Sequence, residues 1–547
     1  MTKTNSGLTR RYFLKTTAAA AVGAAVLPLG AKAAPAAAKY TRYNVTSEGG
    51  KRALASYARG VEAMLKLPAD NPQNWFHNAF IHLMDCPHGN WWFYVWHRGF
   101  IGNFEQSIRN LSGDPTFAIP YWDWTALPQI PDAMFDGMLN PADEAFAPYT
   151  RNLSTFTSSL QPALKAYWGS LTPGQQSQLN ARGYTNFDLM WNDVTGYDPK
   201  AGNGVSGNMA YANTCGSRYL TRDNPKLDDK TAYDVSPFVI LSGLLPTDFY
   251  NPVLTLSFNS SKTTSHNVQP GRNSFCTLEG MPHNKVHNYI GGVGPLDPGP
   301  YGSMTNFLSP VDPLFFLHHA NMDRLWDMWT RKQQRLKLPY LPPEADLKTL
   351  SDEPFLFFVD GNGTYLTNGR AGEYLSTEKF DYNYEPGSGE EIVNPPAAAL
   401  GQKRTRPLVR GVVKGNTATL AVPAEAVREH LAAAGGASLV AEVTLPHPSA
   451  SSVEREFDVL VNAPAGVTEV GADSPYYAGT IAFFGKMMGM EGMAMDATFA
   501  VPLPKAPQAF RGLTAAANNT AVNIRIIPTQ RRARRAPALK AVSVRAL

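Results

Sequence analysis

The chain has 547 residues, 44% of them hydrophobic, which is enough for two or more domains with their own cores. Its net charge is +4, yet residues 1–33 hold five basic residues and no acid, and residues 531–547 hold six and no acid. The body between these ends is therefore at −7, so the basic balance does not describe a nucleic-acid-binding surface. Three cysteines, Cys86, Cys215 and Cys276, are too few for a disulfide scaffold.

The first element is a targeting segment. Thr9-Arg10-Arg11-Tyr12-Phe13-Leu14-Lys15 looks like a twin-arginine signal, followed by an alanine-rich apolar stretch and an A-x-A cleavage site at Ala31-Lys32-Ala33. Residues 1–33 are thus expected to be removed, and the protein to be exported to a periplasmic or secreted location. The apolar stretch is too short for a membrane span and is broken by Pro28 and Gly30. No other stretch reads as transmembrane.

Six of the eleven histidines then fall in two sets of three. The first set, His82, His88 and His97, lies in a run from Ile81 to Arg98 whose second half is almost wholly aromatic. That half would line a pocket and exclude water. His77 competes with His82 for the first position; the apolar pair Phe80-Ile81 puts His82 on a buried face. The second set begins with His283 and His287. Pro282 suits the first turn of a helix, and histidines at i and i+4 share one helical face. Asn284 stands where the zinc-protease motif needs glutamate. The third member comes from the helical run Asp312 to Trp326, which holds both His318 and His319. Adjacent residues point about 100° apart on a helix, so one is a ligand and the other supports or packs. Asp323, four residues after His319, is placed to receive the free ring N–H of a ligand histidine. Two sets of three imidazoles suggest two metal ions with open positions, able to hold a small molecule such as dioxygen between them. Dioxygen chemistry needs a metal with two oxidation states one electron apart, which favours copper over zinc.

These residues resemble the type-3 copper family of tyrosinases, catechol oxidases and hemocyanins. HGNWWFYVWHR looks like the first copper motif, and MPHNKVHN with DPLFFLHHANMDRLW looks like the second. FAIPYWDW, Phe117 to Trp124, matches a strand-and-turn signature between them, and Asp381-Tyr-Asn-Tyr-Glu385 matches a paired-tyrosine motif that closes the catalytic domain. The resemblance implies two copper ions in a four-helix bundle within a mainly α domain, residues 40–390. It makes His82, His88 and His97 the ligands of one ion, and His283, His287 and His319, rather than His318, those of the other. It also implies a thioether between Cys86 and His88, as in fungal tyrosinases. Glu279 and Asn284 sit where the family has a glutamate and an asparagine that order a water to deprotonate the incoming phenol. The implied activity is a phenol oxidase that uses O2 to hydroxylate monophenols to catechols and oxidises catechols to o-quinones. A catechol-only or o-aminophenol oxidase, or a hemocyanin-like carrier, are the alternatives; the removable signal on a single chain argues against a carrier. The expected partners are phenolic small molecules and O2, with no nucleic acid and no membrane span.

Pro386-Gly-Ser-Gly opens a proline- and alanine-rich stretch, with the linker proper at residues 391–404. Residues 405–528 then show alternating apolar runs at 417–422, 439–445, 457–461 and 498–503, read as a small all-β sandwich. Glu456 to Asn462 resembles a motif of the C-terminal domain of plant polyphenol oxidases, which covers the copper site in the latent enzyme. A cover of this kind would insert Phe483, Phe484 or a residue of the methionine run Met487–Met495 into the pocket. That run also has a reading of its own, as a soft-sulfur loop that holds Cu(I), against a plain apolar turn. Cys215 and Cys276 remain as a possible disulfide pair. Residues 529–547, with Arg531, Arg532, Arg534 and Arg535, read as a basic disordered tail.

Overall fold

The computed structural model describes residues 38–195, 218–267, 272–291, 302–393, 408–448, 455–485, 496–514, 517–529 and 536–546. The expected signal, Cys215, most of the expected linker, the methionine run and the four arginines of the tail lie outside them.

Strand β1 (Tyr40–Arg42) leads into helix α1 (Glu48–Lys66), where the Ser47 hydroxyl accepts the Gly50 N–H and caps the first turn. Helix α2 (Trp75–Asp85) starts at Asn74, whose side chain accepts from Phe76 and His77, and stops before Cys86-Pro87, since proline cannot continue a helix. Helix α3 (Phe93–Ser112) runs to Gly113, whose φ of +70° is a left-handed cap that glycine adopts without strain. The loop between α2 and α3 carries Cys86 and His88. Helices Leu153–Ser170 and Pro173–Ala181 pack against α2.

Strand β2 (Arg272–Phe275) precedes a π-type turn, Glu279–His283, which flows into helix α4 (Asn284–Gly291). Pro282 therefore lies inside a widened turn rather than at a helix start. The wider ladder accommodates a ring that has no N–H to give. Helix α5 (Leu314–Arg335) opens where Asp312 accepts the Leu314 N–H at 2.9 Å, and it places Lys332 and Arg335 in its last turn, against the negative end of the dipole. Strand β3 (Tyr382–Tyr384) pairs in parallel with β1 and ties the two ends of the helical region together. The expected strand at Phe117–Trp124 is extended chain, bridged only at Tyr121, to Asn44. One large aromatic cluster, with Trp75, Trp91, Trp92, Trp96, Trp326 and Trp329 fully buried, fills the space between these helices.

The strands beyond residue 408 are β4 (Val409–Arg410), β5 (Val412–Lys414), β6 (Thr417–Pro423), β7 (Leu439–Pro446), β8 (Glu456–Val461), β9 (Tyr477–Ala482), β10 (Asp496–Pro502), β11 (Asn519–Pro528) and β12 (Ala541–Ala546). They form two five-stranded sheets, in the orders β9-β8-β11-β6-β5 and β2-β10-β7-β12-β4, which share one hydrophobic cluster. The four runs read from the sequence are β6, β7, β8 and β10. Three features depart from that reading. A helix, Ala424–Ala432, follows β6. Strand β2, from the helical region, joins the second sheet by parallel pairing with β10, Arg272 opposite Asp496 through Phe275 opposite Phe499. The supposed disordered tail contains β12, hydrogen-bonded to β7 on one side and β4 on the other. Its Val542, Val544 and Ala546 are buried, so a period of two was present there and the neighbouring arginines obscured it. Lys39–Leu547 form one compact unit. No described helix is long and apolar enough to cross a membrane.

Candidate metal centre

The six histidines come from five places: His82 on α2, His88 on the following loop, His97 on α3, His283 and His287 at the π turn and α4, and His319 on α5. All are buried. They form two triangles. Ring centroids in the first are 5.4 Å (His82–His88), 5.5 Å (His82–His97) and 5.5 Å (His88–His97) apart. In the second they are 4.6 Å (His283–His287), 5.0 Å (His283–His319) and 5.3 Å (His287–His319) apart. The triangles adjoin: His97 and His319 stack at 4.2 Å, and His88 lies 5.6 Å from His283.

Hydrogen bonds fix which ring nitrogen carries the proton. His82 Nδ1 faces the Phe307 carbonyl, His97 Nδ1 the Phe93 carbonyl and His287 Nδ1 the Met304 carbonyl, each at 2.7 Å. A carbonyl only accepts, so each Nδ1 donates and each Nε2 bears a lone pair. His283 Nδ1 lies 2.8 Å from Asn284 Oδ1; the Asn284 Nδ2 donates to the Ala482 carbonyl, so oxygen faces the ring. The Nε2 atoms then face one another. His82 and His97 Nε2 are 3.4 Å apart, and His287 and His319 Nε2 are 3.1 Å apart. His88 Nε2 and His283 Nε2 are buried with no partner. Facing lone pairs repel unless a cation lies between them, so the donor set fits two metal ions. Burial pushes the imidazolium form away: His82 and His283 fall to about 3, and His88, His97, His287 and His319 well below the ordinary value. Neutral imidazole is the ligand form.

His318 is close by. Its ring is 4.6 Å from His287 and 5.3 Å from His283, it packs on Trp124 at 4.8 Å, and both its nitrogens lack partners. Ligand atoms of His283, His287, His318 and His319 all lie within 4.8 Å of one another, as do those of His82, Cys86 and His88. His77 is elsewhere, its nitrogens taken by the Ala69 carbonyl and the Tyr365 hydroxyl, both at 2.7 Å.

Around the triangles, Cys86 Sγ lies 3.5 Å from His88 Nδ1. Glu279 accepts the Gly89 N–H at 2.6 Å, and its other oxygen accepts the Ser260 hydroxyl. Burial pushes its carboxyl up to about 8. Asp323 does not meet a histidine, which corrects the sequence expectation. One oxygen takes Arg98 Nε at 2.7 Å; the other takes Arg42 at 3.0 Å, Tyr384 at 2.6 Å and Tyr382. Burial alone would raise its carboxyl, but Arg98 and Arg42 outweigh burial and hold it below the usual range. Two cations on neighbouring elements satisfy a buried carboxylate better than one neutral imidazole N–H. Phe484, just past β9, lies over the pocket, 4.4 Å from His287, 4.9 Å from His88 and 5.6 Å from His283. Phe483 instead packs on Phe499 at 5.1 Å. Ser260 and the carbonyls of Phe307, Met304 and Ala482 escaped the sequence reading, because hydroxyl and backbone acceptors leave no residue-type signature.

Fold and site together place two adjoining groups of buried imidazoles, suited to metal ions, inside a helical region. Residues 61–332 match the family model described as the common central domain of tyrosinase. Polyphenol oxidase II of Ipomoea batatas is 23% identical over 351 residues, covering 61% of this chain and 48% of that protein. The latent form of polyphenol oxidase from Prunus armeniaca is 26% identical over 374 residues, covering 64% and 50%. The chain thus spans about half the length of the curated relatives it matches. A solved latent aurone synthase, a polyphenol oxidase, shares the fold with a TM-score of 0.53 and 20% identity over 94% of this chain and 90% of that one. These matches support the tyrosinase and polyphenol oxidase family, whose cofactor is a type-3 pair of copper ions.

Proposed function

We propose that this chain is a dicopper phenol oxidase that hydroxylates monophenols to catechols and oxidises catechols to o-quinones with O2. The carrying observation is the pair of adjoining triangles with inward lone pairs. His82, His88 and His97 hold one ion, and His283, His287 and His319 the other, within a four-helix bundle of α2, α3, α4 and α5. When bound, the copper pair supplies one-electron changes and Lewis acidity. The residues do the rest. Carbonyls behind three of the rings hold the ligand tautomer. The aromatic wall keeps the pocket dry. Glu279 is the base for the phenol, whose own pKa lies near 10; bound copper would favour the charged form of its carboxyl. A thioether from Cys86 fixes His88. The N-terminal twin-arginine pattern supports export of the folded protein.

A catechol-only reading is favoured by one observation: each end of the Asn284 amide already has a protein partner, which leaves one lone pair and one N–H for ordering a water. The test is copper analysis together with turnover of a monophenol, a catechol and an o-aminophenol. Two ions per chain and turnover of all classes of phenol are expected. Catechol turnover alone gives the second reading, and no turnover at two ions per chain gives a carrier. His319→Ala should lose one copper and all turnover, whereas His318→Ala should keep two ions; the reverse exchanges the two assignments.

A further inference from the structure

The turn and helix that bear His283 and His287 are fastened to the C-terminal sheets at atoms that also aim a ligand. Asn284 accepts from His283 Nδ1 with one end and donates to the Ala482 carbonyl of β9 with the other, both at 2.8 Å. One turn on, Asn288 Nδ2 donates to the Phe483 carbonyl at 3.1 Å and to Glu456 at 3.2 Å, while Lys285 pairs with the same Glu456. Met281, in the π turn, presses on Gly479 of β9, where a Cβ would stand 2.2 Å from its methyl group.

An amide turned by 180° exchanges its acceptor and donor ends. With the Ala482 carbonyl in place, only the Asn284 oxygen can face His283, so the ring proton stays on Nδ1. Without it, the NH2 group is free to turn inward, and the proton then moves to Nε2, the nitrogen a metal needs. We propose that strand β9 is a working part of the metal centre: the Ala482 carbonyl locks the Asn284 amide and so holds His283 in the tautomer that binds copper. The inference rests on the dicopper reading above. Asn284 is a positioning residue, and the segment that lays Phe484 over the pocket also secures the second ion.

The test uses full-length, copper-loaded protein and the rate at which a chelator extracts each ion. Asn288→Ala loosens the seam without touching the His283 bond. It should speed the loss of one ion about tenfold, the lower range for supporting residues of a metal site, with the other ion unchanged. Adding Asn284→Asp should abolish that effect, because a carboxylate accepts the His283 N–H whichever way it turns. An acceleration that persists in the double variant, or that strikes both ions alike, would overturn the proposal, as would none at all. Should Asn288→Ala fail to fold, mild detergent loosens the seam and gives the same comparison between the parent chain and Asn284→Asp. A parent chain that holds fewer than two ions sinks the dicopper reading itself. A parent with two ions and no sensitivity to the seam sinks only the lock.

Discussion

Glu279 joins two ligand-bearing segments, since it starts the turn that carries His283 and accepts from Gly89, beside His88. As a base it has to matter for phenols and much less for catechols, which are already more acidic. Glu279→Gln should therefore depress monophenol turnover by about 10²- to 10⁴-fold, the usual worth of a positioned base, and catechol turnover by far less. Equal losses on both substrates would remove the special role. At this scale residue type was the legible part. Imidazoles in two sets of three are rare enough to be read directly, and the buried run Phe80-Ile81 pointed to His82, which lies among the other histidines, while His77 bonds elsewhere. What could not be read was each ring's acceptor. The carbonyls of Phe307 and Met304 belong to any residue, so only the folded chain shows them. Asp323 failed for a related reason: spacing places it on the His319 face of α5 but says nothing of Arg42 and Arg98, which arrive from β1 and α3.

Those two arginines make Asp323 the knot of the helical elements, joining β1, α3, α5 and β3 through Arg42, Arg98, Tyr382 and Tyr384. Asp323→Asn removes the ion-pair partner of buried Arg98 and one of the two carboxylates on buried Arg42, which keeps Glu105. It should cost about 3–5 kcal/mol in urea unfolding, as broken buried pairs do, while copper stoichiometry stays at that of the parent. Loss of one copper with unchanged stability would restore the ligand-orienting role. A second knot sits at the end of α2. His266 contacts Glu353 at 2.6 Å through Nδ1 and Asp85 at 2.9 Å through Nε2, and Asp85 also accepts from Trp96 at 2.7 Å. Only imidazolium donates from both nitrogens. Burial would lower its pKa, but the two carboxylates overcome burial and raise it above the ordinary value. A raised folded value means that the stabilisation is complete below the unfolded pKa of about 6.5 and fades as pH climbs through the folded one. The melting temperature of metal-free protein should accordingly fall over that interval, and His266→Gln should flatten the fall. A slope identical in the variant would assign it to another group.

On the scale of the whole molecule, the helical region and the two sheets are joined by a shared strand, β2 on β10, and by the Lys285–Glu456 and Lys230–Asp458 ion pairs. Cutting the linker should therefore leave both pieces in one particle on size exclusion, with little gain in turnover. Phe484→Ala should raise catechol turnover at unchanged copper content, since it empties the pocket mouth and leaves the seam intact. Flat turnover with copper retained would mean that the sheets serve folding or copper delivery rather than cover. The order of synthesis adds a constraint of time. Strand β2 is made early, but the sheet it enters is closed by β12, whose last residue, Ala546, lies 271 positions beyond Phe275. At the usual pace of about 5–20 residues per second, some 15–50 s separate the two on the ribosome. Until β10 is made, the segment from β2 to α4 has no sheet to pair with. The support of His283 and His287 waits on β9 and β10, and a ribosome-bound nascent chain should take up copper poorly until those strands emerge.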